Sequence, residues 1–489
     1  MYEGETGERG FLAIQNISKG DVLLRVPLRL AFTDFADDEE SDRLMYEGAP
    51  WSVCLSAKLL RAMSAGSTSP FWPYTQVLPK LVPAPMETLS WEQMQEIQYQ
   101  PGKEALDKYN WLLADAYSSC SAEALGGKGD EKPSEEMFQW AMSVVHSRTF
   151  GNAAPGGGVG VRMLVPLVDM FNHGGDETES GMLNDPSHIP SDNVRWDVVQ
   201  SGDDWEMVVT ATTDVEPGYQ LLLCYGARSN DDFFLHYGFV PEANPHESVV
   251  LFNDLEEALD WHHATFAAEM PEEDAVKRYT RALGAAMPQQ EGALAELSKA
   301  LGSRPEQKQE KQLVLSAGGR IDGALMTAFT MVNTERNELA EAATQVLEIS
   351  ADAAVLTGAD ARHAEEAVVQ RCLGMLRAMP TTLLQDAAVL WADCKARGDE
   401  EGPYRYLSLI HHYRQALQDV DEVAAQAGAL PIEAFALQLV KSMTGAGEDQ
   451  GLLSGPMKSV VQYRIAKKMV LSDAVATILN AAKAERQSG

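Results

Sequence analysis

Two distant segments of this chain carry one pattern. Ala13-x3-Ile17-x2-Gly20-x-Val22-Leu23-Leu24 is echoed by Ala211-x3-Val215-x2-Gly218-x-Gln220-Leu221-Leu222, and each reads as strand, tight turn, strand. Two such units in one region favour a β-rich fold of short sheets over an α/β sheet with crossover helices. Phe11 to Ile14 and Val22 to Pro27 read as strands. Val194 to Gln200 and Glu206 to Thr212 bracket Ser201-Gly202-Asp203-Asp204 as a hairpin. From about Asp34 to Glu136 the pattern is helical and loop-rich. After about Pro245 the chain becomes rich in Ala, Leu, Glu and Gln at helical spacing, with helices expected from Asn253, Glu272, Arg320, Asn337, Ala361 and Thr382. The predicted class is α+β: a β-rich domain over 1–245 with a helical insertion at about 34–136, then an all-helical domain over 246–489.

Charge and cysteine usage narrow the function. A formal net charge of −33 repels phosphate backbones and anionic bilayers, which argues against nucleic-acid and membrane partners and favours a cationic one. No apolar run reaches the roughly 18 residues of a membrane span. Residues 1–10 carry neither a secretory nor a transit pattern. They begin so close to the first strand that an upstream segment is expected, and the expected setting is cytoplasm or plastid. The five cysteines are far apart and form no CxxC pair, so reduced intracellular thiols and no metal site are predicted. His262-His263 and His411-His412 read as interhelical polar residues, since no carboxylate lies at zincin spacing.

Several stretches hold candidate chemistry. Leu164-Val165-Pro166-Leu167-Val168-Asp169-Met170-Phe171-Asn172-His173 is an apolar run that ends in a carboxamide and an imidazole. That ending fits either a turn with its cap or a binding edge. Phe138, Ala141, Met142 and Val145 share one helix face; that helix ends in His146-Ser147-Arg148-Thr149-Phe150-Gly151, where the macrodipole alone would favour Arg148. Tyr225-Gly226 and Tyr237-Gly238 set phenols where the backbone can turn sharply. Gly7-Glu8-Arg9-Gly10 could bring backbone close to a small molecule. Phe71-Trp72-Pro73-Tyr74 with Leu78-Pro79 forms an aromatic-proline corner that reads as core.

Taken together, these pieces resemble the SET-domain protein methyltransferases, in the branch of the Rubisco large-subunit lysine methyltransferase. That branch has an RG-[LF]-x-A start, here Arg9-Gly10-Phe11-Leu12-Ala13, and a Trp-to-Leu-Pro corner, here Trp72 through Leu78-Pro79. It has an SR-x-F helix end, here Ser147 to Phe150, and an L-x-P-L-x-D-M-x-NH strand, here Leu164 to His173. A YG-x-x-SN…YGF segment closes it, here Tyr225-Gly226, Ser229-Asn230 and Tyr237-Gly238-Phe239. Arg320-Ile321-Asp322-Gly323 and Pro380 to Asp386 resemble wording in the branch's helical substrate-binding domain. The match spans roughly 7–420. The region from His262 to Lys311 and the tail from Val423 match poorly.

The resemblance implies a SET domain of small sheets with a knotted C-terminal segment, S-adenosylmethionine as cofactor, no metal, and a monomer acting on a protein that presents a lysine. It makes Tyr225 the catalytic phenol. It assigns Gly7, Glu8, Arg9, Arg148, Asn172, His173 and Tyr237 to the cofactor, and Ser147, Arg148, Asn152, Asp169 and Tyr225 to the substrate side. The alternatives are a histidine methyltransferase on the same fold, whose SR-x-F step differs, and a non-catalytic scaffold binding through its helical half.

Overall fold

The structure is a computed structural model that describes residues 2–3, 9–34, 44–152, 161–175, 192–202, 204–241, 244–301, 312–333, 359–399, 401–426, 430–444 and 453–488. Contacts divide the chain into two units. The first comprises 1–95 and 102–244; the second comprises 96–101 and 245–489.

In the first unit, strands β1 (Tyr2–Glu3), β2 (Arg9–Leu12), β3 (Val22–Pro27), β4 (Phe32–Thr33), β5 (Thr149–Asn152), β6 (Val161–Leu164), β7 (Asn172–His173), β8 (Val194–Ser201), β9 (Asp204–Ala211) and β10 (Gln220–Leu223) form small sheets. One runs β1-β2-β10-β8-β9-β3, with β7 also pairing to β10; the other is β4-β6-β5. The β8–β9 hairpin is in register from Val194↔Ala211 to Ser201↔Asp204.

The internal echo is a structural partnership. Ile17 and Val215, equivalent positions in the two copies, form a β-bridge. The Gly20 N–H donates to the Ala211 carbonyl at 2.9 Å, and reciprocally the Gly218 N–H donates to Ala13 at 2.7 Å. Both glycines sit at nearly the same positive φ, +93° and +92°, a region open to glycine at little cost. Each copy therefore satisfies the other's turn. Behind the sheets lie Val26, Met163, Val165, Val168, Phe171, Met207, Val209 and Leu223, all buried. Each such side chain contributes about 1.5–3 kcal/mol relative to exposure. A second cluster centres on the helix Trp51–Ala65 of the insertion and joins Leu55 and Leu59 to Phe138 and Met142 of the helix Glu135–Arg148.

The second unit is mostly helical, with one addition to the all-helical expectation. Strands β11 (Ser248–Phe252), β12 (Leu313–Ser316) and β13 (Arg320–Ile321) form an antiparallel sheet. These strands are short, and two are far apart in sequence, so helical periodicity around them masks their signal. Pro380 to Asp386 has a structural account. Thr382 caps the helix Leu383–Arg397 in a reciprocal capping box with Gln385, an arrangement that satisfies two orphan donors. Asp386 lies at the centre of a buried ionic cluster. It accepts from Arg464 Nη2 at 2.7 Å, Lys468 Nζ at 2.6 Å and the Thr381 hydroxyl at 2.8 Å. Lys467 pairs with Glu247. Residues 96–101 join this cluster: Arg464 Nη1 donates to the Glu96 carbonyl at 3.0 Å, and Lys468 Nζ to Gln98 Oε1 at 3.3 Å. Among the described residues no helix is long and apolar enough to cross a membrane.

Candidate active site

A pocket of about 280 Å³ opens in the first unit where three chain reversals converge. The first follows the helix Glu135–Arg148. Ser134 caps its start by accepting from Met137 N–H at 3.2 Å, with Glu135 and Glu136 in the first turn. Its end runs into β5 with no intervening loop, because Thr149 is already extended at φ −82°, ψ 131°. Ser147 and Arg148 are thus held at a helix–strand junction, and Ser147, Arg148, Thr149, Phe150 and Gly151 line the pocket.

The second reversal follows β6. Pro166 ends the strand, Leu167 adopts φ 70°, and a 3-10 turn over Val168–Met170 brings Asp169 and Phe171 to the pocket wall. A positive φ at a γ-branched residue stores strain on the order of 1–3 kcal/mol. The third reversal follows β10. Leu223, Cys224, Tyr225, Gly226 and Arg228 line this side, and Tyr237 reaches it from a π-helical turn over Phe233–Tyr237. Gly238 ends that turn at φ +76°, where a Cβ would lie 1.9 Å from the Pro83 carbonyl oxygen. Arg162 and Trp196 complete the wall.

Tyr225 is the most constrained group here. Its phenol donates to the Phe171 carbonyl at 2.7 Å, and its backbone N–H donates to His173 Nδ1 at 3.2 Å. The latter bond makes Nδ1 the acceptor and puts the proton of neutral His173 on Nε2. The Tyr237 ring stacks on Tyr225 at 5.1 Å and 29°. Arg228 Nε donates to the Tyr225 carbonyl at 3.0 Å.

Asp169 is fully buried. Its Oδ2 accepts from the Tyr74 hydroxyl at 2.9 Å and from Arg148 Nη1 at 3.3 Å, while Arg148 Nη1 also reaches the Asp169 carbonyl at 2.7 Å. Burial raises the carboxyl's pKa more than Arg148, the Tyr74 hydrogen bond and Arg9 lower it. Burial, followed by the Asp169 charge, pushes the Tyr74 phenol well above its ordinary value. Asp169 Oδ1 and Arg148 Nε are buried without a hydrogen-bond partner. In the same unit, His146 and His236 stack at 4.6 Å and 13°. Burial pushes them down to about 3 and about 4, and the nearby Arg228 charge adds to both shifts. Both imidazoles are therefore neutral near pH 7.

Of the residues singled out from sequence, Ser147, Arg148, Asp169, Tyr225 and Tyr237 meet at this pocket. The Ser147 hydroxyl donates back to Ser143 at 2.8 Å. Asn172 and His173 lie on β7 beside β10, behind the wall: Asn172 Nδ2 donates to Gln220 at 2.7 Å, and His173 packs against Tyr225 and Phe233. Arg9 Nη1 is bound to the Val77 carbonyl at 2.8 Å. The Asn152 backbone pairs with Val161; its side chain, like Gly7 and Glu8, lies outside the described residues. Sequence reasoning missed Arg162, Trp196, Cys224 and Arg228. Arg228 sits between the two halves of the YG-x-x-SN pattern, which could have pointed to it. Among the described residues no cluster of three or more His, Cys, Asp or Glu could hold a metal.

No family model matches the chain. It is 26% identical over 279 residues to the curated Protein SET DOMAIN GROUP 40 of Arabidopsis thaliana, covering 52% of this chain and 54% of that one. It is 26% identical over 255 residues to the actin-histidine N-methyltransferase of Mus musculus, and 24% identical to that of Danio rerio, in each case over 49% of this chain and 39% of the relative. The chain thus spans about half the length, or less, of these relatives. Among solved structures it is similar to the SET domain of LSMT bound to lysine and AdoHcy, with TM-score 0.58, 16% identity, and coverage of 97% of this chain and 85% of that one. Rubisco LSMT bound to AdoMet gives TM-score 0.56 at 16% identity, over 96% and 85%. The fold of this chain is that of the SET-domain proteins typified by the Rubisco large-subunit methyltransferase.

Proposed function

We propose that the chain is an S-adenosylmethionine-dependent protein methyltransferase that acts on lysine. The observation that carries this reading is the Tyr225 phenol, held at the pocket wall by the Phe171 carbonyl at 2.7 Å and by the stacked Tyr237 ring. The Phe171 bond consumes the phenolic proton. It leaves oxygen lone pairs to face a positively charged methyl donor, and a preorganised dipole needs no reorganisation at the moment of reaction. The residues present fit the cofactor: Arg148 Nε is a buried donor with no partner, suited to a charge-assisted bond with a carboxylate. S-adenosylmethionine, when bound, supplies an electrophilic methyl group on a sulfonium centre. Asp169 and Tyr74 hold Arg148 in place. Asn172 and His173, through β7, hold the backbone on which Tyr225 is mounted. The helix–strand junction at Ser147 and Arg148 forms the floor.

An amine must be neutral to act as nucleophile. Burial in this pocket beside the Arg148 and Arg228 guanidinium groups disfavours the ammonium form, so a dedicated base is not required. Phe150, edge-on to Trp196 at 5.4 Å and 74°, gives the pocket an aromatic wall without a hydrogen-bond acceptor. That wall suits an aliphatic lysine stem better than an imidazole whose ring nitrogens need partners. The names of the actin-histidine relatives motivate the second reading, histidine.

Tyr225→Phe is expected to lower turnover on the order of a hundredfold or more, with S-adenosylhomocysteine affinity, read by calorimetry on chelator-treated protein, little changed. Near-normal turnover in that variant would refute the phenol's role. Absence of binding heat in the parent protein would refute the cofactor. Mass spectrometry of cell extract treated with protein and isotopically labelled cofactor separates lysine from histidine by the modified residue.

A further inference from the structure

The pocket carries a cation that the proposed chemistry does not use. Gly151 and Arg162 face each other across β5 and β6. A Cβ on residue 151 would lie 2.0 Å from Arg162 Nη1, so the guanidinium occupies the space that glycine leaves open. On its other side, Cζ lies 5.5 Å from the centre of the Trp51 ring, within cation–π range. The backbone beneath is pinned: the Arg162 N–H donates to Asp34 Oδ1 at 2.7 Å, and the Asp34 N–H donates to the Arg162 carbonyl at 3.1 Å. The Asp34 carboxylate thus serves the backbone and acts on the guanidinium only through space.

The other two pocket arginines are engaged, Arg148 by Asp169 and Arg228 by the Tyr225 carbonyl. Arg162 is different. Among the described residues no oxygen accepts a hydrogen bond from its guanidinium, although the chain as a whole carries a net charge of −33. A planar donor fork on a pocket wall that no described oxygen engages would repel an approaching lysine unless a negative group arrives with it. A carboxylate is the matching acceptor, since the fork can bind it through two parallel hydrogen bonds.

We propose that Arg162, seated in the space left by Gly151 and against Trp51, is a specificity residue that receives a carboxylate of the substrate protein near the methylated side chain. The proposal rests on the methyltransferase reading and adds the substrate class: a target side chain flanked by Asp or Glu.

The test uses the full chain and paired peptides in which one Glu, or one Gln, is moved through the positions flanking a single lysine. At one position the Glu peptide is expected to exceed its Gln partner in kcat/KM by about tenfold or more. Arg162→Met should bring that ratio close to one, and Arg162→Lys should keep part of it. Gly151→Ala, which pushes the guanidinium out of its seat, should also reduce the ratio. Because the ratio is taken within each protein, a general loss of activity does not mimic the result. A parent protein that shows no Glu preference, or a preference that survives Arg162→Met, overturns the proposal. If no peptide is methylated, fluorescence anisotropy still decides: tighter Glu binding that depends on Arg162 upholds the carboxylate site while the methyl-transfer reading falls, and equal binding sinks the site.

Discussion

Asp169 in the first unit and Asp386 in the second are both fully buried aspartates facing cations, and they are built to opposite ends. Asp386 has two short ionic contacts, at 2.6 and 2.7 Å, and a hydroxyl donor. Asp169 has one long contact at 3.3 Å, a phenol donor, and an oxygen with no partner. Both Asp386 oxygens are bonded, although Arg464 Nε has no partner. A bonded buried carboxylate helps specify a fold, whereas a carboxylate oxygen left without a donor costs stability and persists where something else benefits. The difference separates a carboxylate saturated with donors from one that lines a pocket with an oxygen to spare.

The largest effect is expected from Asp386→Leu, which leaves Arg464 and Lys468 buried without their carboxylate. Breaking a buried pair this way costs about 3–5 kcal/mol, so the urea midpoint should fall steeply. An unchanged midpoint would place the cluster outside the folded core of the second unit. Asp169→Asn removes a charge next to an arginine that is one-fifth exposed and can turn toward water. Its stability cost should stay below about 2 kcal/mol while turnover drops on the order of ten- to a hundredfold. Equal losses of stability and turnover would erase the contrast between the two aspartates.

The stacked imidazoles give the next effect. In the unfolded chain His146 and His236 take up protons below their ordinary pKa of 6.5, whereas in the folded protein they stay neutral to about 3 and about 4. Their contribution to stability is therefore intact above pH 6.5 and is lost as pH falls from there toward 4. Between pH 7.5 and 5.5 the loss is about 1 kcal/mol per imidazole. Asp169, whose pKa is raised in the fold, acts in the opposite sense at lower pH. Replacing both histidines with Phe should flatten the slope of melting temperature against pH; an unaltered slope would mean that other groups set it. Tyr74→Phe should be mildest, about 1 kcal/mol in stability, with the KM for the cofactor rising more than kcat falls.

What could be read from sequence was whatever lies in a short stretch. Tyr225, Tyr237, Arg148 and Asp169 stand in compact motifs, and the structure brings them to one pocket. The echoed units announced short sheets, although their mutual pairing was not visible. The missing pieces are long-range pairings. Tyr74 reads as core in its aromatic-proline corner, and only folding sets its hydroxyl on Asp169, 95 positions away. Arg162 looks like any strand residue until Gly151 is seen opposite it. Glu96 and Arg464 meet across 368 positions, and no local periodicity reports that.

Residues 96–101 have a consequence for how this protein can be divided. The chain leaves the first unit after Gln95, contributes six residues to the second, and returns at Gly102. A cut near residue 245 therefore does not release two intact modules. The N-terminal piece keeps a strap whose partners, Arg464, Lys468 and Thr381, are gone, and the C-terminal piece lacks the strap. Modular exchange at that junction, in the laboratory or between genes, would leave both halves incomplete. A clean separation has to replace the strap as well, so the two units are expected to be inherited together.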